Sequence, residues 1–218
     1  MPDHAALLVQ AGAALARSGL VTAFGHVSVR TGDDSFVISP PVPLNRFGAG
    51  DVMAVSLADA GLPPGVPKEA WIHRELYASR PDVQAVCRAQ PKVTTALGSA
   101  GVTIRPLHGQ GAFLGDCVPV HADSRLVRDQ QSGRALAQSL RGDAVIMRGN
   151  GAVTVGPTVA QAVALMWVLE ASAELNAAAA AAGTPTPLPP GEQEAWRGVA
   201  PELLTRIWHY LIDKEHSQ

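Results

Sequence analysis

The chain has 218 residues, 47% of them hydrophobic, and its 17 Lys and Arg residues nearly balance its 19 Asp and Glu residues. This composition excludes a chain that is disordered throughout and predicts one domain with a substantial core. It also argues against nucleic acid or an anionic membrane as partner, because the basic residues are scattered singly. No signal segment is recognisable at the start, and no stretch approaches the roughly 20 uncharged apolar residues that span a bilayer, so we expect a cytoplasmic protein.

The first half of the chain predicts a helix, a hairpin, a strand and a second helix. Apolar residues at helical spacing indicate a helix over 5–18, closed by Gly19. Alternating apolar residues on both sides of a Gly-Asp-Asp turn predict a hairpin between Val27 and Ile38. A short strand over 52–57 and a helix over 68–78 complete this half.

The second half alternates helices with apolar strands. We predict strands over 83–87, 144–147 and 152–155, helices over 91–99, 132–140 and 159–182, and strand-like pieces around Phe113 and 118–120. Four prolines mark 183–191 as a linker, and one or two helices follow over 192–215. We therefore interpret 1–182 as the main domain and 192–218 as its helical extension.

The chain has two cysteines, which are too few for a disulfide framework. Both Cys87 and Cys117 lie in apolar, strand-like contexts. We therefore expect two buried, reduced thiols.

Three segments resemble the class II aldolase/adducin family. They are the glycine turn and strand 25–30, the Glu-x-x-x-His stretch 69–82 with its Tyr and Arg-Pro-Asp turn, and the segment 140–156. The likeness covers about residues 5–182. It implies an α/β fold with a central, mostly antiparallel sheet flanked by helices. It also implies a homotetramer with active sites at subunit boundaries.

One branch of this family is more similar to the chain than the others. Gly25-His26-Val27-Ser28-Val29-Arg30, with Arg105-Pro106 and Phe113-Leu114-Gly115, resembles the branch that decarboxylates aromatic or heteroaromatic carboxylates. The sugar-phosphate aldolases carry Asn where this chain has His26. The resemblance therefore implies a lyase that acts on a small carboxylate-bearing substrate.

The family's metal-ligating histidines are replaced in this chain. Arg88 and Gln90 stand at the two positions of a His-x-His at the end of a buried strand, and Asn150 stands at the third histidine position. Arginine keeps its proton, and amides are weak ligands for zinc-type metals. The family implies a divalent metal, but we predict none here and no other cofactor. The alternative is a relocated metal held by Glu69, His73, His26 or His108.

Three residues are candidates for catalysis. Glu69 and His73 lie four residues apart on a predicted helix, so they share one face, and the resemblance assigns acid/base chemistry to the glutamate. His26 begins a strand, and its near-neutral pKa suits proton transfer. The alternatives are a surface Glu-His pair, a His73 packed against the sheet, and a turn histidine with no task.

The predicted substrate ligands are Ser28, Arg30, Arg88, Gln90, Asn150 and His108. Ser28 and Arg30 alternate with His26 along a strand, so Arg30 is expected to bind a carboxylate bidentately unless it is a solvated strand residue. Arg88 would place positive charge where the family binds a cation, with the Gln90 and Asn150 amides around it. A drifted position in an inactive site is the alternative for Arg88. The sequence leaves the roles of His108 and His121 open.

Two functions follow from these residues. The first is a decarboxylase or aldolase-like lyase that works without the usual metal on a substrate able to delocalise charge, such as an aromatic hydroxy acid or a 3-oxo acid. The second is a catalytically silent relative that binds a metabolite or assembles with another protein, as the adducin head domain does. Retention of Glu69 and His73 favours the first function, and loss of all three histidines favours the second.

Overall fold

The computed structural model describes residues 3–213. Its helices are α1 (His4–Arg17), α2 (Ala70–Ser79), α3 (Lys92–Ser99), α4 (Gln130–Ser139), α5 (Val159–Ala182), α6 (Pro190–Gly198) and α7 (Ala200–Asp213). Its strands are β1 (His26–Gly32), β2 (Ser35–Ile38), β3 (Met53–Ser56), β4 (Ala85–Ala89), β5 (Val120–His121), β6 (Ala144–Met147) and β7 (Gly151–Gly156). Most elements lie within a few residues of the predicted bounds.

The strands form one seven-stranded sheet in the order β3-β2-β1-β4-β7-β6-β5. Only the β5–β6 pair is parallel among these neighbours, so the predicted α/β fold with a mostly antiparallel sheet is confirmed. The register of β1 against β4 places His26 directly opposite Arg88. These two side chains therefore share one face at the same end of the sheet.

Helices cover both faces of the sheet because successive strand residues point to opposite sides. Val86 packs in the cluster beneath α2 and α4, whereas its neighbour Cys87 packs in the larger cluster with α1, α3, α5 and α7. Leu204 and Leu211 of α7 are buried in that larger cluster. The final helix therefore completes the core of its own chain, and residues 214–215 of the predicted helix lie outside the described range.

Helix α5 is long and apolar enough to span a membrane by length and composition. The sequence prediction that no stretch approaches this limit is wrong in that respect. The helix contacts β4, β7, α3 and α7, and its Glu170 carboxylate accepts hydrogen bonds from the Val93 and Thr94 backbone N–H groups at the start of α3. Buried Ala, Val and Leu side chains and this cap mark α5 as a core helix.

The structure corrects two expectations between α3 and β6. Phe113 lies in a 3-10 helix, Gly109–Leu114, and not in a strand, because this segment pairs with no neighbouring strand. Its ring is instead buried in the core with Leu114. Cys117 is exposed, whereas Cys87 is buried as predicted. The loop beyond Gly115 turns the Cys117 side chain to solvent, so apolar neighbours in the sequence gave the wrong burial.

Candidate active site

A cavity of about 460 Å³ lies where β1 begins and β4 ends, beside the start of α2. It contains five of the side chains that the sequence predicts as site residues: His26, Glu69, Arg88, Gln90 and Asn150. His26 and Arg88 are brought together by the β1–β4 register. Asn150 belongs to the β6–β7 turn, next to the strand that pairs with β4. Strand pairing therefore brings together residues that are far apart in the sequence.

Glu69, Arg88, Gln90 and Asn150 form a closed polar network. Arg88 Nη2 lies 3.1 Å from Glu69 Oε2 and donates to Asn150 Oδ1 over 2.8 Å. Gln90 Nε2 donates to the same Asn150 oxygen at 3.3 Å. Asn150 Nδ2 in turn donates to Glu69 Oε1 at 3.2 Å. The Asn150 amide thus links the cation to the carboxylate, and its orientation follows from having donors on one side and an acceptor on the other.

Gly151 allows Asn150 to reach this network. Its φ of 91° lies in the left-handed region, and a Cβ at this position would collide with the carbonyl oxygen of Ala89. A residue with a side chain would push the β6–β7 turn away from β4. Glycine at 151 therefore keeps Asn150 within hydrogen-bonding distance of Arg88.

Arg88 is a buried cation, since only 1% of its side chain is exposed. Burial lowers the pKa of its guanidinium and the Glu69 carboxylate raises it again, but the ordinary value is so high that the group stays charged. Within the described residues, its Nε and Nη1 atoms have no hydrogen-bond partner. An unmet buried donor costs about 1–3 kcal/mol. Both atoms are also shielded from solvent in this structure, so a ligand would meet them only once the neighbouring side chains have moved.

A second polar group lies behind Arg88 on the same face of the sheet. Ser28 Oγ is 2.7 Å from His73 Nδ1 and 2.8 Å from the Tyr77 hydroxyl. The rings of His26 and His73 meet edge to face with centroids 5.8 Å apart. His26 Nδ1 and His73 Nε2 are buried and have no partner among residues 3–213. Unsatisfied atoms of two histidines and Arg88 thus lie in one small region.

Both histidines are neutral at pH 7. Burial, and to a smaller extent the charge of Arg88, lowers the pKa of His73 to about 3. Burial, His73 and Arg88 together hold the pKa of His26 well below its ordinary range. His26 is therefore available as a hydrogen-bonding group of the cavity, but it does not carry a proton as imidazolium.

These lowered pKa values predict that the protein becomes less stable as the pH falls. The folded-state pKa of His73 lies below its ordinary value of 6.5, so the unfolded chain binds more protons at low pH. The contribution of neutral His73 to the free energy of unfolding is complete above pH 6.5 and is lost as the pH falls toward 3. Over this range the free energy of unfolding falls by up to about 1.4 kcal/mol per pH unit. Urea unfolding from pH 7 to pH 4 should show a smaller slope for His73→Asn than for wild type. His209→Gln, at an exposed position of α7, should leave the slope unchanged, and an unchanged slope in His73→Asn would contradict the assignment.

Four predicted site residues lie outside this cavity. Ser28 and His73 are fully buried behind it and hold each other. Arg30 is not part of the cavity lining, and its guanidinium donates to the carbonyl oxygens of Val83, Asp33 and Tyr77. His108 bonds Ser172 of α5 on the other side of the sheet. His121, whose role the sequence leaves open, bonds Ser139 Oγ through its Nδ1 at 2.9 Å.

The side chains at the closed end of the cavity do not fit a divalent metal. Arg88 is protonated and would repel a cation, and the Asn150 oxygen is already shared by two N–H donors. Within residues 3–213, no group of three His, Cys, Asp or Glu side chains is arranged to hold a metal ion. Of the residues considered for a relocated metal, Glu69, His73, His26 or His108, the last lies on the other side of the sheet.

The structure adds cavity residues that sequence reasoning missed. They are two cations, Lys68 and Arg128, and three apolar side chains, Phe24, Val42 and Leu126. Lys68 directly precedes Glu69 in the sequence, so it could have been predicted to lie near the site. The loop that contains Leu126 and Arg128 carries no motif, and only the fold brings it to the cavity.

Comparison with known proteins agrees with this fold. Residues 6–177 match the family described as Class II Aldolase and Adducin N-terminal domain. The chain is 32% identical over 194 residues to the 3,4-dihydroxyphthalate decarboxylase of Terrabacter sp. (strain DBF63), covering 81% of each protein. It is 33% identical over 168 residues to the protein of the same name from Arthrobacter keyseri, covering 68% of this chain and 67% of that one. The structure of L-fuculose-1-phosphate aldolase from Thermus thermophilus has a TM-score of 0.74 and 30% identity, over 81% of this chain and 94% of that one.

Proposed function

Because the chain belongs to the class II aldolase and adducin family, we propose that it is a lyase that releases carbon dioxide from a small aromatic carboxylate. In this proposal Arg88 supplies the positive charge that a divalent metal supplies in other family members. The observation that carries it is the buried Arg88, fixed by Glu69 and Asn150 with two N–H donors unused. Relatives named for the decarboxylation of a dihydroxyphthalate support this reaction class.

Substrate binding would use both kinds of cavity surface. The unused Arg88 donors suit the oxygen atoms of a carboxylate, which forms strong hydrogen bonds with guanidinium groups, and binding would require neighbouring side chains to move and open these buried atoms. Phe24, Val42 and Leu126 offer apolar contact to an aromatic ring. Neutral His26 adds a hydrogen bond to a ring substituent. In this proposal Gln90 and Asn150 act indirectly, since Asn150 bonds both Arg88 and Glu69 and Gln90 bonds Asn150.

The reaction needs a substrate that accepts the electron pair. The ring carbon that bears the carboxylate is protonated first, while an ortho or para hydroxyl gives up its proton and donates electrons into the ring, which yields a non-aromatic oxo form. The bond between the ring carbon and the carboxyl carbon then breaks, and its electron pair returns through the ring to this oxygen, which takes its proton back. Glu69, the carboxyl group that lines the cavity, relays a proton from solvent to the ring carbon. The products are carbon dioxide and the ring with hydrogen in place of carboxylate. Arg88 stabilises the anionic charge by its field and hydrogen bonds.

The proposal predicts a metal-independent activity that depends on Glu69. Carbon dioxide release from a panel of hydroxybenzoates should persist in chelator and fall about 10²–10⁴-fold in kcat in Glu69→Gln, because the proton relay is lost. Glu174→Gln, at an exposed position of α5, is the matched control and should keep full activity. Activity that is unaffected in Glu69→Gln, or abolished by chelator, would contradict the mechanism. Tight binding of these acids with no release from any of them would favour the catalytically silent alternative.

We also propose that the chain forms the homotetramer that the family resemblance implies. Phe24 at the cavity is 66% exposed and Leu126 is 48% exposed, which is high for large apolar side chains next to a binding site. Covering the cavity by a second copy would shield these side chains from water.

A further inference from the structure

The buried hydrogen bonds behind the cavity have a direction. The Ser28 hydroxyl has one proton and two polar neighbours, His73 Nδ1 at 2.7 Å and the Tyr77 hydroxyl at 2.8 Å. A phenol is a stronger proton donor than an aliphatic alcohol, and the Tyr77 hydroxyl bonds no other side chain within residues 3–213. Tyr77 therefore donates to Ser28, and Ser28 donates to His73 Nδ1. This direction leaves the single proton of neutral His73 on Nε2.

The proton on His73 Nε2 adds a third donor to a group of four buried nitrogen atoms without partners in the described range. Arg88 Nε and Nη1 belong to this group and carry protons, and the fourth atom is His26 Nδ1. The rings of His26 and His73 are in contact, and His26 lies opposite Arg88 in the β1–β4 register. A proton on His26 Nδ1 would leave four donors side by side with no acceptor, which is unfavourable in a buried region. His26 Nδ1 is therefore the acceptor of the group.

The other nitrogen of His26 belongs to the cavity. His26 lines the cavity, and of its two ring nitrogens Nδ1 is the one that is buried without a partner. A neutral imidazole carries one proton, so an acceptor at Nδ1 places that proton on Nε2. A ligand in the cavity therefore meets an uncharged N–H donor at His26.

We propose that Ser28 and His73 are positioning residues that hold His26 in the Nε2–H tautomer, so that His26 donates a hydrogen bond to an oxygen substituent of the substrate. The part that concerns the substrate rests on the proposed function. This oxygen is the hydroxyl that becomes the oxo group when the ring carbon is protonated. A fixed donor stabilises the negative charge that this oxygen gains when it loses its proton. Ser28 and His73 act through His26 and touch no reacting atom.

The uncharged state of His26 suits this role. An imidazolium would place a second positive charge opposite Arg88, whereas a neutral imidazole donates a hydrogen bond without adding charge. A neutral imidazole is also a very weak acid, so it keeps its proton and remains a donor while the substrate oxygen changes its charge.

The test is nitrogen-15 NMR of protein labelled in its histidines, recorded without substrate at pH 7. The protonated and unprotonated nitrogens of a neutral imidazole resonate far apart, so the spectrum gives the tautomer directly. Spectra of His26→Gln and His73→Asn assign the two rings. Wild type should show both rings as the Nε2–H tautomer. A wild-type His26 that is Nδ1–H, a mixture of tautomers or charged would overturn the inference without any further variant.

Two hydroxyl variants separate positioning from packing. Ser28→Ala removes the donor to His73 Nδ1, so His73 and, through it, His26 should each populate both tautomers. Tyr77→Phe removes a buried hydroxyl from the same cluster but leaves His73 as the acceptor for Ser28, so both rings should stay Nε2–H. Ser28→Thr keeps a hydroxyl and should give the wild-type spectrum. A wild-type spectrum in Ser28→Ala, or the same loss in Tyr77→Phe as in Ser28→Ala, would overturn the inference.

Kinetics test the part that concerns the substrate. For carbon dioxide release from hydroxybenzoates, Ser28→Ala should lower kcat about three- to tenfold and keep KM within about twofold, because the donor acts on charge that develops during the reaction. Tyr210→Phe, which removes the other tyrosine hydroxyl of the chain, is the control and should keep kcat. A raised KM with unchanged kcat in Ser28→Ala would remove the role in the reaction.

These outcomes are separable from those of the proposed function. The tautomers are measured without turnover, so they decide the positioning role even if no acid releases carbon dioxide. In that case, 4-hydroxybenzoate decides the donor role. A shift of the His26 Nε2 resonance on binding would support it, and saturation without a shift would remove it. Release of carbon dioxide by a wild type whose His26 is Nδ1–H would leave the lyase proposal intact and remove this one.

Discussion

Replacing Arg88 with Met is expected to eliminate measurable binding of benzoate and to lower the free energy of unfolding by about 3–5 kcal/mol. The loss of stability arises because Glu69, with only 12% of its side chain exposed, loses its ion-pair partner. The Asn150 oxygen also loses its shorter hydrogen bond. Urea denaturation and calorimetry with benzoate measure the two effects separately.

A second variant distinguishes the binding role from the structural one. Arg88→Met with Glu69→Gln removes both charges, so no unpaired carboxylate is left and most of the stability should return. Benzoate binding should stay absent, because the anion has lost its cation. As a control, Arg80→Met breaks the more exposed pair with Asp82 and should cost less than about 1 kcal/mol. An Arg88→Met protein that still binds benzoate would show that Arg88 is not the anion ligand.

The fold was predictable because its elements carry strong local patterns. The bounds of α5, Val159–Ala182, coincide with the prediction, since a run of helix-forming residues ends at Gly183. The segment around Phe113 was not predictable, because burial of its ring depends on α5 and not on its own sequence pattern. Cys117 shows the same limit, as apolar sequence neighbours do not determine which side of a loop faces solvent.

The sequence also predicted some of the site residues and missed others. Convergence of Arg88, Gln90 and Asn150 was implied by the family resemblance, because the three positions correspond to ligands of one ion. The alternation of β1 correctly placed Arg30 on the face of His26, but two of the backbone carbonyls that accept from its guanidinium belong to α2 and to the segment before β4. Lys68 and Arg128 could not be predicted as cavity residues for a different reason. Exposed cations are common on any surface, and only the folded chain shows that these two share a cavity.

Restoring the three histidines is expected to produce a metal site. Wild-type protein purified without an affinity tag should hold far less than one metal ion per chain. The triple variant Arg88→His, Gln90→His and Asn150→His should take up close to one equivalent of Zn²⁺ or Co²⁺. The reason is geometric, since Arg88, Gln90 and Glu69 each lie within hydrogen-bonding distance of Asn150. Three imidazoles and a carboxylate are a favourable donor set for these ions.

Elemental mass spectrometry gives the metal content, and the visible absorption of Co²⁺ reports its coordination. Arg88→His alone should bind weakly, because two amides remain in the donor set. Adding Glu69→Gln to the triple variant should reduce affinity if the carboxylate is a ligand. A folded triple variant without metal would mean that the backbone of this chain no longer presents the site. Stoichiometric metal in wild type that disappears in Glu69→Gln would instead mean that Arg88 moves aside for an ion. Uptake by the triple variant alone would show that Arg88 occupies the place of the cation and that three side chains separate this site from a metal centre.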